Sequence, residues 1–219
     1  MTDRSAERED MIAWHLEPRG IREPAVLDAM RAVPREAFLP ARLRGEAYAD
    51  HPLPIGDGQT ISQPYVVALT AQAARIRPGD RVLEVGTGSG YAAAVLARLA
   101  GEVWSVERVP GLAAGAVDAL AAAGVRNVHV VTGDGTLGLP DHAPFDAIVA
   151  AAAGPDVPLP WLDQLADGGC IVMPLEQGGG QHLVRVTRPG TGEPVIERLE
   201  SVRFVPLVGE HGWHRDDRS

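Results

Sequence analysis

The sequence predicts an α/β protein: a doubly wound, mostly parallel sheet, preceded by helices and extended at its C-terminal end by antiparallel strands. The first sign is a set of short apolar runs, RVLEV, EVWSV, NVHVV, FDAIVA and CIVMP, which read as strands buried on both faces. The second is the Ala-rich helical segments between several of them, YAAAVLARLA and PGLAAGAVDALAAAG; that alternation marks βαβ units covered by helices on both sides. The third is the pair of longer runs QHLVRVTR and PVIERLESVRFVPL, joined by the turn PGTGEP, which suit an antiparallel addition at one sheet edge.

Ahead of the sheet, residues 5–17 and 24–32 are helix candidates, and Pro34 and Pro40 punctuate the stretch after them. HPLPIGDGQTISQP carries prolines and glycines at close intervals and reads as an ordered loop. Pro64 opens a helix that puts Val66, Leu69, Ala73 and Ile76 on one face. Residues after Gly209 read as a loose end, so the HGWH stretch with His211 and His214 is assigned no function and no metal. At 219 residues the chain is expected to form one domain. Within it, 1–76 supply N-terminal helices and a substrate loop, 77–175 a cofactor-binding core, 176–209 the added strands and 210–219 a tail.

Hydrophobic residues make up 45% and charged residues 22%, a balance that supports a full globular core. The net charge of -9 argues against a broad nucleic-acid face, which needs surplus Lys and Arg. The polar opening MTDRSAERED lacks the apolar centre of a secretory signal, and Gly, Pro, Asp or Arg breaks each Ala-rich stretch short of a membrane span. Cys170 is the single cysteine; it cannot form an internal disulfide and reads as a buried small hydrophobe. The expectation is a cytoplasmic monomer with neither nucleic acid nor membrane as partner.

The chemistry concentrates at VLEVGTGSGY. Gly86, Gly88 and Gly90 follow the first strand as G-x-G-x-G, a turn that lets a ligand approach the backbone. A dinucleotide site requires a third glycine where this chain has Tyr91, and no Gly-Lys-Ser/Thr follows for a phosphate loop. S-adenosyl-L-methionine suits the pattern better. It has no phosphate, and its ammonium, ribose diol and adenine amine all seek acids. Glu84 sits just before the glycines, Glu107 ends the second strand, where it can accept both ribose hydroxyls, and Asp134 follows the third, within reach of the adenine amine. Acids at the carboxyl ends of successive parallel strands lie where open α/β sheets bind ligands. Each alone would read as a helix cap or a common turn.

The segment after the fourth strand, FDAIVAAAAGP, lacks the Asn or Asp followed by Pro-Pro-aromatic used to methylate base amines. One cysteine cannot supply a pair for attack on pyrimidine carbon. Nor are there clustered acids or amides to spare for metal-assisted catechol methylation.

Five blocks in order, LPIGDGQTISQPYVVAL, VLEVGTGSGY, HVVTGDGTLGLP, FDAIVAAAAGP and VRFVPL, resemble the protein-L-isoaspartate O-methyltransferase family from about Val26 to Leu207. The resemblance implies a Rossmann-like methyltransferase fold and transfer to the free α-carboxylate of L-isoaspartyl residues in damaged peptides and proteins. S-adenosyl-L-homocysteine would be the product. The methyl ester would close to a succinimide whose hydrolysis returns part of the population to aspartate. By similarity, Ser62 in QTIS is the functional serine, Gly86, Thr87, Gly88, Ser89 and Gly90 form the cofactor loop, and Glu107, Asp134 and Gly135 complete that site. Thr60 and Ile61, with VRFVPL, would flank the bound peptide. A substrate carboxylate is already ionised at neutral pH, so no strong base is needed, and orientation alone can supply on the order of 7–11 kcal/mol. Ser62 would then orient the carboxylate, although by local sequence alone it reads as a helix-start residue before Gln63-Pro64.

Two positions depart from many relatives: Ala151 and Val208 stand where a threonine is common. Rival readings are a methyltransferase for aspartate side chains of a dedicated ribosomal peptide, a silent S-adenosylmethionine-binding regulator and an NAD-dependent oxidoreductase. No extra peptide-gripping domain favours the first, and intact QTIS and GTGSG weigh against the second.

Overall fold

The structure, a computed structural model, describes residues 4–187 and 192–214. Helix α1 (Ser5–Met11) continues into a π-helical turn, Ile12–Leu16, and a 3-10 turn, Glu17–Arg19. The N-terminal helix therefore changes pitch before Pro18, and Gly20 at φ 90 ends it. Helix α2 (Pro24–Ala32) begins with proline at its first position and buries Val26, Ala29 and Met30, the i, i+3, i+4 stripe of an amphipathic helix.

The expected loop at 51–64 contains a hairpin instead: β1 (Leu53–Gly56) pairs antiparallel with β2 (Gln59–Ile61). Asp57 and Gly58 between them adopt φ 49 and 71, the conformation a tight Asp-Gly hairpin turn requires. Pro54 fits because the hairpin is two-stranded and both strands are edges. Helix α3 (Pro64–Ala74) comes next, with a different buried face from the one expected. Tyr65, Val67, Ala68, Ala71 and Ala74 are buried, whereas Val66, Leu69 and Ala73 are only half-buried and Ile76 lies beyond the helix. Small alanines allow close approach to the sheet, and that outweighs the pull of the larger side chains.

The sheet comprises β3 (Arg81–Val85), β4 (Glu102–Glu107), β5 (Val128–Thr132), β6 (Phe145–Ala150), β7 (Leu165–Gln177), β8 (Gly180–Thr187) and β9 (Val195–Val202). Their order is β5-β4-β3-β6-β7-β8-β9. The pairs from β5 through β7 are parallel, and β7, β8 and β9 form an antiparallel meander. Helices α4 (Tyr91–Ala97) and α5 (Pro110–Ala122) cross between the parallel strands, and α6 (Leu159–Asp163) precedes β7.

Alternate residues of the strands enter two cores: Val82, Val103, Val149 and Val172 join α1 to α4 on one face, and Leu83, Val106, Ile148 and Ile171 join Trp161 on the other. The central strands are buried on both faces, but β5 is an edge strand with none of its residues fully buried. On the second face the cover comes from α6 and short 3-10 turns, so the helical layer there is thin. Part of the turn PGTGEP, residues 189–191, lies outside the described residues.

β9 stops at Val202, so VRFVPL is not strand throughout. Residues 203–207 cross back over the sheet ends, where Ala153 N donates to Val205 O at 2.8 Å and Leu207 N to Ala153 O at 2.8 Å. The supposed loose end is anchored as far as residue 214. Trp213 N donates to Leu207 O at 2.7 Å, and its indole Nε1 to Ala153 O at 3.0 Å. The indole explains the order: it has a buried carbonyl to satisfy. Residues 215–219 of the expected tail lie outside the described residues.

A candidate cofactor and substrate cleft

From β3 the chain proceeds outward on one side to β4 and β5, and β6 and β7 lie on the other, so the carboxyl ends of β3 and β6 bracket a switch point. The glycine turn opens there. Gly86, Gly88 and Gly90 have φ of 94, 54 and 86, values that an L side chain rarely adopts. Gly86 N donates to Val106 O at 2.8 Å, and Gly90 N to Thr87 O at 2.8 Å, which folds the turn onto the start of α4. A Cβ on Gly86 would stand 3.4 Å from that of Ala151, and one on Gly88 3.3 Å from Ile55 Cδ1 of the hairpin. The backbone cradle is therefore closed by both the end of β6 and the β1–β2 hairpin.

The predicted residues divide. Gly86, Gly88, Glu107, Gly135, Thr60 and Ser62 share the wall of one cavity of about 640 Å³. Both departures from the family pattern, Ala151 and Val208, are on it too. Thr87 is buried behind the turn with its hydroxyl 2.5 Å from Ser105 Oγ, Ser89 Oγ accepts from Tyr91 N at 3.4 Å, and Ile61 is buried at the end of β2. Thr87, Ser89, Gly90 and Ile61 lie off this wall.

Each acid has a distinct environment. Glu107 accepts from Gly88 N through Oε2 and from Val109 N through Oε1, both at 2.9 Å. Each oxygen keeps a second lone pair, so the carboxylate can still receive a diol. Glu84 is fully buried at the inner end of the turn, where it adjoins a small annex lined also by Ser62, Val66, Ala151 and Phe204, four residues shared with the main cavity. Its Oε2 accepts a short hydrogen bond from Ser105 Oγ, while its Oε1 has no partner. Burial raises its pKa to about 8, against the Ser105 bond and with some repulsion from Glu107.

Asp134 is directed elsewhere. Its Oδ1 accepts from Thr136 N at 2.9 Å and Thr136 Oγ1 at 2.7 Å, and its Oδ2 from Glu210 N at 2.8 Å. The carboxylate is off the cavity wall, and its Oδ2 braces the C-terminal segment. Next to it, Gly135 approaches so closely that a Cβ would lie 2.4 Å from Val85 Cγ1.

Across the cavity, the N-cap of α3 is Gln63, and Tyr65 N donates to Asp50 Oδ1 at 3.4 Å, so the Ser62 hydroxyl does not cap the helix. Sequence reasoning missed the groups that hold this segment. Asp50 accepts from Gln63 Nε2 at 2.6 Å and pairs with Arg19 at 3.0 Å, and the Arg19 guanidinium lies 3.3 Å over the Tyr65 ring. Arg35 reaches Ser62 O from the core at 3.0 Å. The contacts span 13 to 46 positions along the chain, and no local pattern signals them.

The set suits S-adenosylmethionine on structural grounds. A buried carboxylate with a vacant oxygen matches an ammonium, Glu107 matches a diol, and the glycine cradle admits a ligand to the backbone. The profile of the protein-L-isoaspartate(D-aspartate) O-methyltransferase (PCMT) family matches residues 6–212. Protein-L-isoaspartate O-methyltransferase 1 of Rhodopseudomonas palustris is 55% identical over 213 residues, which cover 97% of this chain and 87% of that protein. A solved protein-L-isoaspartate O-methyltransferase superposes with TM-score 0.85 at 31% identity, covering 94% of this chain and 67% of its own. A Plasmodium falciparum beta-aspartate methyltransferase, solved in complex with S-adenosyl-L-homocysteine, shares the fold with TM-score 0.79 at 24% identity, covering 95% of this chain and 99% of its own.

Proposed function

The chain belongs to the protein-L-isoaspartate(D-aspartate) O-methyltransferase family, and we propose that its own residues divide the work of the family's reaction between a cofactor side and a substrate side. The enzyme methylates the free α-carboxylate of L-isoaspartyl residues in damaged peptides and proteins. When bound, S-adenosylmethionine would supply an electrophilic methyl on its sulfonium and leave as S-adenosylhomocysteine. Glu84 would hold the ammonium and Glu107 the ribose diol, and the backbone at Gly86 and Gly88 would admit the ligand, with Gly135 on the same wall. Thr87 and Ser89 shape the turn from behind, and Asp134 acts through the C-terminal segment it anchors.

Ser62 donates its hydroxyl to the substrate carboxylate and aims one oxygen at the methyl position. Thr60 lies alongside on the wall, and Ile61 anchors that strand in the core. An ionised carboxylate needs no base, so the protein's part is to fix the line of approach and keep water out. The released ester closes to the succinimide when the following backbone nitrogen attacks its carbonyl and methanol leaves, and water opens that ring partly to normal aspartate.

The observation that carries this reading is the single cavity whose wall joins Ser62 to the glycine turn and Glu107. In this reading residues 1–76 bring the substrate loop, 77–175 the cofactor core and 176–209 the far wall. No described helix is long and apolar enough to cross a membrane. The lone buried thiol suits a cytoplasmic setting, and isoaspartyl proteins rather than nucleic acid are the partners.

The test is methyl transfer to a synthetic isoaspartyl peptide beside its aspartyl twin. The isoaspartyl peptide alone should be labelled. Labelling confined to the twin, or cofactor binding with no transfer to either, would reject the assignment.

A further inference from the structure

We propose that Arg35 is a positioning residue for methyl transfer: it is a buried cation that holds the main chain of Ser62 in place and leaves the serine hydroxyl free for substrate. This role rests on Ser62 being the residue that orients the substrate carboxylate.

Arg35 is wholly buried. Its Nη1 makes a short hydrogen bond to Ala47 O, and its Nη2 donates to His51 O at 3.3 Å and to Ser62 O at 3.0 Å. Those carbonyls belong to three separate pieces of chain. Ala47 comes after a 3-10 turn, His51 precedes the β1–β2 hairpin, and Ser62 lies just beyond it. One guanidinium thus closes both ends of the hairpin that carries Gly58, Gln59 and Thr60 to the cavity wall. It also lies 5.8 Å from the Tyr91 ring, and Tyr91 is the first residue of α4 after the glycine turn.

Burying a cation is costly, its Nε has no hydrogen-bond partner, and none of the ion pairs among the described residues includes Arg35. An apolar side chain of similar size would fill the same volume without that cost. What it could not do is donate to several carbonyls in fixed directions, which the planar fork of arginine does. The hydroxyl of Ser62 neither caps α3 nor has to anchor its own loop, because the carbonyl is held instead. The hydroxyl can therefore face substrate while its backbone stays rigid with respect to the cofactor turn.

A double-mutant cycle on the full chain tests this: Arg35→Lys, Ser62→Ala and the double variant, with Arg35→Met as a second replacement that keeps bulk and removes the charge. Turnover and KM are measured with an isoaspartyl peptide, S-adenosylhomocysteine affinity by titration, and folding by thermal unfolding. Arg35→Lys should lower kcat by about tenfold or more, since small misplacements of reacting groups cost up to ~100-fold, while cofactor affinity stays within about twofold. In the Ser62→Ala background the same change should lower kcat by less than about twofold, because two residues that act through one contact are not additive.

Equal losses in both backgrounds, or an unchanged kcat in Arg35→Lys, would overturn the proposal. So would cofactor affinity falling in step with kcat, or failure of both replacements to fold, since either would make Arg35 a general structural residue. If the wild-type enzyme itself fails to label isoaspartyl peptide, the functional assignment has failed instead, and that is seen before any variant is made.

Discussion

Replacing Glu84 by glutamine separates the two demands on that side chain. The carboxyl group is fully buried, with Ser105 on one oxygen and nothing on the other, and burial lifts its pKa to about 8 from an ordinary 4.5. Without ligand, therefore, the folded protein keeps a proton that the unfolded chain releases. The folded state binds more protons between those two values, so stability falls as pH rises through that window, at a rate approaching about 1.4 kcal/mol per pH unit. Below the unfolded value the contribution is complete, and above about pH 8 it is gone. Glutamine, neutral at every pH, should remove this slope. Denaturant titrations of wild type and Glu84→Gln at several pH values between 5 and 8 read the difference. The same substitution should weaken S-adenosylhomocysteine by about 10- to 100-fold, the worth of roughly 1.5–3 kcal/mol for a hydrogen bond to a charged group. Calorimetry near pH 7 should show the wild type releasing close to one proton on binding and the variant none, because an ammonium beside Glu84 favours the ionised form. Parallel pH slopes in the two proteins, or unchanged affinity in the variant, would refute the assignment of Glu84 as a buried acid awaiting a cation.

Ser62→Ala should lower turnover on isoaspartyl peptide by about 10- to 100-fold, while Glu107→Ala should chiefly weaken cofactor binding; steady-state kinetics and cofactor titration, run on both, show whether the losses separate. Gly135→Ala puts a methyl 2.4 Å from Val85 Cγ1. It should cost about 1–3 kcal/mol in denaturant unfolding, with much of that recovered by Val85→Ala in the same chain. Against the cost of burial, hydrogen bonds from Glu210 N and from Thr136 hold the Asp134 carboxyl below its usual range. Its contribution is present above the ordinary aspartate value and lost as pH falls through the depressed one. Asp134→Ala should therefore expose the segment after Leu207 to limited proteolysis at neutral pH, and the wild type should lose that protection only in acid.

The range of the forces involved decides which features can be read from the sequence and which stay hidden. The parallel sheet is legible because burial on two faces leaves unbroken apolar runs, and the glycine turn because positive φ restricts the residue type locally. Glu84 and Glu107 can be placed at strand ends from the sequence, since topology fixes where those ends meet, and the cofactor roles given to them are our proposal. Asp134 occupies an equivalent place, and its bond to Glu210 N, 76 positions away, is one that nothing local signals. The hairpin at 53–61 is a different failure: Asp57-Gly58 is a turn signal, but the surrounding prolines mask the short strands. Arg35 is the hardest case. As a residue type it belongs on the surface, and its burial depends on three carbonyls brought together only by folding, 12, 16 and 27 positions along the chain. Ser62 can thus be singled out through a family resemblance, while the guanidinium that bonds its carbonyl becomes visible only once the chain has closed around it.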